Sequence, residues 1–266
     1  MDASTGGIAK LNSQSAAYNG VQLSPDGTKV VFTAFDSAGR SQIFVAALSD
    51  FNNPIQLTSN DTEDHFSATF SPDGNTITSS VFDSSSFSTI STLPAAGGTE
   101  AVLTNPSSLA ALTPVFTPDG KKIVFGVTNI DGGLYVMNLD GSGLTQLTNL
   151  NSNPNEEDYF PSVSPDGTKI AFRRGLFNAA NDTWVYNIYV VGTGGESTAN
   201  PATQVTTDGY SWNPMYVGDS IVFLSPKNNL TTTNTDDIYR MNPGGANVVQ
   251  LTKTGFEDFL TWSGAE

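Results

Sequence analysis

Ser/Thr-Pro-Asp-Gly occurs four times in this chain, at Ser24–Gly27, Ser71–Gly74, Thr117–Gly120 and Ser164–Gly167, with prolines 47, 46 and 47 residues apart. A fixed period of that size means stacked copies of one supersecondary unit, which restricts the fold before any local reading. Proline presets φ at the second turn position, Asp bonds nearby backbone and Gly accepts positive φ, so each copy closes a tight hairpin. The Asp residues of these copies are therefore assigned to turn chemistry rather than catalysis. A second marker runs in parallel: Lys10-Leu11-Asn12, Gln56-Leu57-Thr58, Val102-Leu103-Thr104, Gln146-Leu147-Thr148, Gln204-Val205-Thr206 and Gln250-Leu251-Thr252. Its intervals are 46, 46, 44, 58 and 46 residues, which puts an insertion in the fourth full unit.

Within a unit, four β-rich runs recur in constant order. In the first they are Tyr18–Leu23, Lys29–Ala34, Gln42–Leu48 and Pro54–Thr58. The second run returns as Val30-Val31-Phe32, Ile77-Thr78, Ile123-Val124-Phe125, Ile170-Ala171-Phe172 and Ile221-Val222-Phe223. The third returns as Ile43-Phe44-Val45, Thr89-Ile90-Ser91, Leu134-Tyr135-Val136, Ile188-Tyr189-Val190 and Ile238-Tyr239-Arg240. Short β-branched and aromatic runs between Gly/Pro/Asn/Asp turns read as strands, and no stretch keeps a helical period. Radial repetition of four-stranded antiparallel units gives an all-β propeller. The pattern Ser-Pro-Asp-Gly-x-x-Ile/Val-x-Phe, then Ile-Tyr/Phe-Val and Gln-Leu-Thr, resembles the repeat of the TolB-like β-propeller family over almost the whole chain. The fifth copy, Tyr216-Val217-Gly218-Asp219-Ser220, lacks the proline.

The chain is read as one domain, 1–266, with units at about 13–58, 59–104, 105–148, 149–206 and 207–252. Asp2–Asn12 aligns with the last turn and strand of a unit, and Glu257–Ser263 with the first strand of one. The expectation is thus a six-bladed propeller: five complete four-stranded blades and a sixth, incomplete blade shared by termini 1–12 and 253–266. Either that blade is reduced, or the segment is trimmed, or a neighbouring molecule supplies the missing strands across an open sheet edge.

The 26 acidic and 11 basic residues give a net charge of −15. With no basic cluster to displace counterions, nucleic acid is excluded as a partner, and an anionic membrane surface is disfavoured. The absence of cysteine removes disulfides and thiolate chemistry. No run is long and apolar enough for a transmembrane span. Little Lys and a Ser/Thr/Asn-rich polar surface point to an exported bacterial protein, periplasmic or extracellular, whose signal peptide is not in this sequence.

Short Pro-Asp-Gly turns fall on one face of a propeller so arranged. The long loops fall on the other, where function is expected. Acid groups precede the innermost strands there: Glu63-Asp64, Glu156-Glu157-Asp158 and Glu257-Asp258. Asp64, Glu157, Asp158 and Asp258 are the candidate ligands of a Ca²⁺ ion at the channel mouth, since hard cations take carboxylate oxygens. Solvated acid loops explain the same residues. Phe177, Trp184, Tyr210, Trp212 and Phe256 are candidate partner-binding aromatics, and packing between blades explains them equally well. His65, the single histidine, has no Gly-x-Ser-x-Gly elbow to serve and reads as an ordinary channel-mouth or loop residue. The resemblance also brings in metal-dependent sugar lyases that use several histidines, from which this chain departs. It brings in serine peptidases with a hydrolase domain behind the propeller, and no such domain follows within the sequence. Three sequons, at Asn60, Asn181 and Asn229, fit Asn/Thr-rich loops by composition alone.

The function expected first is a non-catalytic protein- or peptide-binding scaffold. The alternatives are a structural subunit that self-associates head to tail through the incomplete blade, and a cation-dependent hydrolase working at the channel mouth.

Overall fold

Each Ser/Thr-Pro-Asp-Gly segment closes its hairpin through one recurring set of bonds in the computed structural model, which describes residues 18–59, 62–83, 88–105, 109–128, 132–148, 155–226 and 236–253. In the first, the Ser24 hydroxyl donates to Asp26 (2.6 Å) and accepts from the Lys29 amide (2.9 Å). The Asp26 carboxylate also takes the Thr28 amide (3.0 Å), and Gly27 donates to the Ser24 carbonyl (2.8 Å) with φ of 67°. The same pattern holds around Asp73, Asp119 and Asp166. Pro-Asp-Gly is thus turn machinery, as expected.

These bonds favour the charged carboxylate. The Ser24 hydroxyl, then the Thr28 amide and hydroxyl, hold Asp26 down at about 2. Asp73, Asp119 and Asp166 are lowered in the same way, led by their Ser or Thr hydroxyls. A carboxylate depressed on folding contributes stability above its unfolded value of about 4, lost as pH falls through the folded value. The urea midpoint is therefore expected to drop between about pH 4 and pH 2, and changing all four to Asn should flatten that drop. An unchanged acid limb in the quadruple variant would contradict the assignment.

Among the described residues, the turns connect twenty strands into five sheets. The first contains β1 (Tyr18–Leu23), β2 (Lys29–Phe35), β3 (Ser41–Ala47) and β4 (Asp50–Gln56). The second contains β5 (Asp64–Phe70), β6 (Thr76–Phe82), β7 (Ser88–Pro94) and β8 (Ala101–Val102). The third contains β9 (Ala111–Phe116), β10 (Lys122–Val127), β11 (Gly133–Asn138) and β12 (Thr145–Gln146). The fourth contains β13 (Glu156–Val163), β14 (Lys169–Asn178), β15 (Thr183–Gly192) and β16 (Thr203–Gln204). The fifth contains β17 (Trp212–Val217), β18 (Ser220–Ser225), β19 (Asp237–Met241) and β20 (Val249–Gln250). Every sheet is an antiparallel meander in sequence order.

The propeller therefore has five four-stranded blades, and the expected sixth blade shared by the two termini is corrected. Each sheet draws all its strands from one consecutive stretch. The fourth strand, two residues long in four of the blades, is held by its own third strand. The expectation of a sixth blade came from the Lys10-Leu11-Asn12 and Glu257–Ser263 motifs. Those terminal segments, with Asp258 and Phe256, lie outside the described residues. The head-to-tail assembly that relied on the incomplete blade loses its basis.

The Thr that ends the second marker has the same task in each blade. Thr58, Thr104, Thr148, Thr206 and Thr252 each accept, through Oγ1, the amide of a third-strand residue at 2.8–3.0 Å: Ile43, Ile90, Leu134, Ile188 and Ile238. This latch fixes where the fourth strand leaves the sheet.

The inner strands β1, β5, β9, β13 and β17 line a central cavity of about 720 Å³ that reaches the Pro-Asp-Gly prolines. Each carries a bulge at the same place, where its register against the second strand shifts. The bulge residues Gly20, Ser67, Thr113, Phe160 and Asn213 have φ of 60°, 54°, 51°, 52° and 49°. Left-handed backbone at Thr and Phe is costly, and cross-blade bonds help hold it. Phe160 N–H donates to Thr113 Oγ1 (3.2 Å), and Thr113 N–H donates to Ser80 Oγ (3.0 Å).

The hydrophobic core follows the repeat. Phe32, Phe125, Phe172 and Phe223 are fully buried, each facing an aromatic across the second and third strands. The pairs are Phe32–Phe44, Phe125–Tyr135, Phe172–Tyr189 and Phe223–Tyr239, with ring centroids 5.7, 6.2, 6.0 and 5.6 Å apart. The second blade departs from the rule, pairing Ser79 with Ser91 at that register.

Candidate functional site

The insertion seen in the marker spacing lengthens one hairpin. β14 and β15 run ten residues each, pairing without interruption from Lys169–Gly192 out to Asn178–Thr183. Their distal part projects aromatic side chains on the expected long-loop face. Phe177 and Trp184 are cross-strand partners with ring centroids 5.4 Å apart, and Trp184 stacks on Tyr186 at 6.0 Å with an interplanar angle of 2°. Tyr210 bridges to Tyr186 through backbone and leaves its side chain exposed, 49% accessible. Trp212 lies at the start of β17, edge-on to Phe160 at 6.4 Å, with its indole N–H donating to Asp236 (2.9 Å). The structure thus brings Phe177, Trp184 and Tyr210 to one tier around Tyr186, and ties Trp212 to the inner-strand bulge.

Arg173 sits beneath this tier. Its guanidinium stands over the rings of Tyr186, Phe160 and Tyr159 at 4.4, 5.0 and 5.1 Å and donates to Glu157 at 2.7 Å. Such cation–π contacts are strongest when desolvated, and Arg173 is only 14% exposed. The next residue points to the opposite side of the strand. Arg174 grips Asp158 with two bonds of 2.8 Å and reaches Glu196 at 3.3 Å. Asp158 is wholly buried and accepts a further bond from Thr148 Oγ1 at 2.5 Å. Burial raises the Asp158 carboxyl above its ordinary value, against the bonds from Arg174 and Thr148, and by itself would lower the Arg174 guanidinium. Hydrogen bonds and the charges of Asp158 and Glu196 outweigh burial at the arginine and keep it protonated.

The acids expected at the channel mouth are placed accordingly. Asp64 accepts from Arg40 (3.0 Å) and from the Ser41 amide (2.8 Å). Glu157 and Asp158 face Arg173 and Arg174. Among the described residues these three do not gather into one group of ligand atoms.

His65 is expected as an ordinary channel-mouth or loop residue. It lies on β5 and is fully buried, with Nδ1 3.4 Å from Ser79 Oγ and 3.6 Å from Glu100 Oε1. Burial pushes its imidazole down to about 4, against the raising influence of Glu63 and Asp64, and burial also raises the Glu100 carboxyl. Ser91 Oγ donates to Glu100 in a short bond. These polar groups occupy the level of the second blade at which the other blades stack two aromatic rings. A signal for them was present in the sequence: the second and third runs of this unit, Ile77-Thr78-Ser79 and Thr89-Ile90-Ser91, lack the aromatic that the other units carry.

No family profile and no curated protein matches the sequence. Solved structures do match over most of the chain. A protein assigned as TolB from Agrobacterium tumefaciens superposes with a TM-score of 0.71 at 21% identity, covering 94% of this chain and 85% of that one. TolB from Acinetobacter baumannii gives 0.69 at 19% identity, over 88% of this chain and 54% of that one. A puromycin-hydrolyzing peptidase of Mycobacterium tuberculosis gives 0.65 at 14% identity, over 92% of this chain and 39% of that one. The chain thus spans about half of the second protein and well under half of the third. The fold is that of the TolB propellers, as the repeat pattern implied, and it is shared with propeller-containing peptidases.

Proposed function

We propose that this propeller is a non-catalytic scaffold that binds a protein or peptide, within an exported bacterial protein of the periplasm or cell exterior. The observation that carries the reading is the lengthened β14–β15 hairpin. It holds Phe177, Trp184 and Tyr186 in contact and sets them beside the exposed Tyr210. Large rings held rigidly by a sheet lose little entropy on contact, and Trp and Tyr are the residues most enriched at interface hot spots. The ion pairs of Arg173 and Arg174 stiffen the base of the hairpin. The TolB neighbours are compatible with a scaffold, and the peptidase neighbours supply the competing reading.

Selection of a random displayed-peptide library on the immobilised chain tests it. Enriched peptides are expected to bind the wild type and to lose affinity about 30-fold or more in Trp184→Ala or Tyr210→Ala, as truncation of a hot spot does. The melting temperature of Tyr210→Ala should stay that of the wild type. Binding indifferent to both substitutions would move the site elsewhere. Turnover of a peptide panel with no enriched binder would overturn the scaffold reading.

A further inference from the structure

The geometry points to a binding site for a divalent first-row transition ion in the second blade, formed by Glu63, His65 and Glu100. Among the described residues, these three form the one group of histidine and carboxylate ligand atoms that lie within 4.8 Å of one another. Ligand bonds of about 2.0–2.2 Å in a tetrahedral site set donors about 3.3–3.6 Å apart. His65 Nδ1 and Glu100 Oε1 already stand at 3.6 Å, so small side-chain rotations close the set.

Independent of the acids, the imidazole is poorly matched, its one hydrogen bond among the described residues being the long contact from Nδ1 to Ser79 Oγ at 3.4 Å. His65 is 0% exposed, and its Nε2 has no hydrogen-bond partner. The nitrogen that faces Glu100 is Nδ1, so it is the ligand atom: an ion there takes the lone pair that the long Ser79 contact leaves weakly used, and Nε2 carries the ring proton. The surroundings are equally specific. Ser79 and Ser91 stand at the register where the other blades place two aromatic rings, and Ser91 Oγ donates to Glu100. That exchange removes apolar filling from the blade and orients a carboxylate, as hydroxyls next to metal ligands do. Glu63 and Glu100 are only partly buried, which leaves an ion a route from solvent.

The donor set selects the ion. One imidazole nitrogen with two carboxylates suits Zn²⁺ or Mn²⁺, whereas Ca²⁺ takes six to eight oxygens. Three protein ligands also leave a coordination position for water. The site lies in a different blade from the aromatic hairpin, and its test is independent of peptide binding.

Zn²⁺ titrated into chelator-treated protein, followed by calorimetry and thermal melting, decides the matter. Saturable binding of a single ion is expected, with Tm higher by roughly 5–10 °C at a hundredfold excess over Kd. Glu63→Gln and Glu100→Gln should each weaken Zn²⁺ binding by more than about 100-fold, and their metal-free melting should remain close to that of the wild type. His65→Asn should abolish binding, and the two Glu variants decide the outcome if it fails to fold. Non-saturable uptake would overturn the site. So would equal binding by the Glu variants, or equal affinity for Ca²⁺, because each assigns the ion to scattered surface carboxylates.

Discussion

Arg174→Ala is expected to cost about 3–5 kcal/mol of folding stability, because it strands a buried carboxylate. Asp158 has no solvent exposure, and Arg174 supplies two of its three bonds, leaving only Thr148 in the variant. The guanidinium also covers the rings of Phe172 and Tyr189 at 5.3 and 5.1 Å, so packing is lost along with charge. Arg174→Lys should recover only part of the loss, since an ammonium cannot make the paired fork. Removing both charges together, in Asp158→Val with Arg174→Met, should cost less than Arg174→Ala alone. Urea denaturation of the three variants measures this. A loss below about 1 kcal/mol for Arg174→Ala would place the pair among surface bridges.

Phe172→Ala should be about as damaging, at roughly 3–5 kcal/mol. The ring is fully buried, stacks near Tyr189, and packs in a cluster with Val124, Leu134, Leu147, Ile170 and Val191 from two adjacent blades. The cavity left behind opens between sheets that cannot collapse independently, because Val124 and Leu134 belong to the third blade and Ile170 to the fourth. Phe172→Leu should retain more than half of the stability that Ala loses. The measurement is the denaturation midpoint at constant m-value. Equal losses for Leu and Ala would show that ring stacking, rather than filled volume, dominates.

Much of this was readable in advance, because the repeat is carried by residues with local mechanisms. Pro-Asp-Gly names a turn, and the first sheet came out within a residue or so of the sequence reading for three of its strands: Tyr18–Leu23, Lys29–Phe35 and Ser41–Ala47. The fourth strand began at Asp50 instead of Pro54, since Ala47 pairs with Asp50 around a tight turn that no marker announces. The blade number differs from the expectation because a motif shows kinship to a strand and does not by itself establish that a sheet forms around it. The candidate aromatics were legible as residue types, yet their grouping depended on the length and register of β14–β15. The acids were legible too, but Arg40, Arg173 and Arg174 lie 24, 16 and 16 residues from the carboxylates they bond. The polar interior of the second blade required aligning the units by column and noticing serine in place of aromatic, a comparison of absences that a search for motifs passes over.

Consecutive strand order has a consequence for biosynthesis. All ladder partners of a blade leave the ribosome within one repeat, so its hydrogen bonds are complete once that repeat has emerged. Its apolar flank is a different matter: Ala171, Ile188 and Val190 of the fourth blade are covered by Tyr216, Ile221 and Phe223 of the fifth. Each newly made sheet therefore waits, paired but with one greasy side bare, for the next to be translated against it. Where blades form in the order of synthesis, a pause in translation between repeats leaves bare whichever flank was made last.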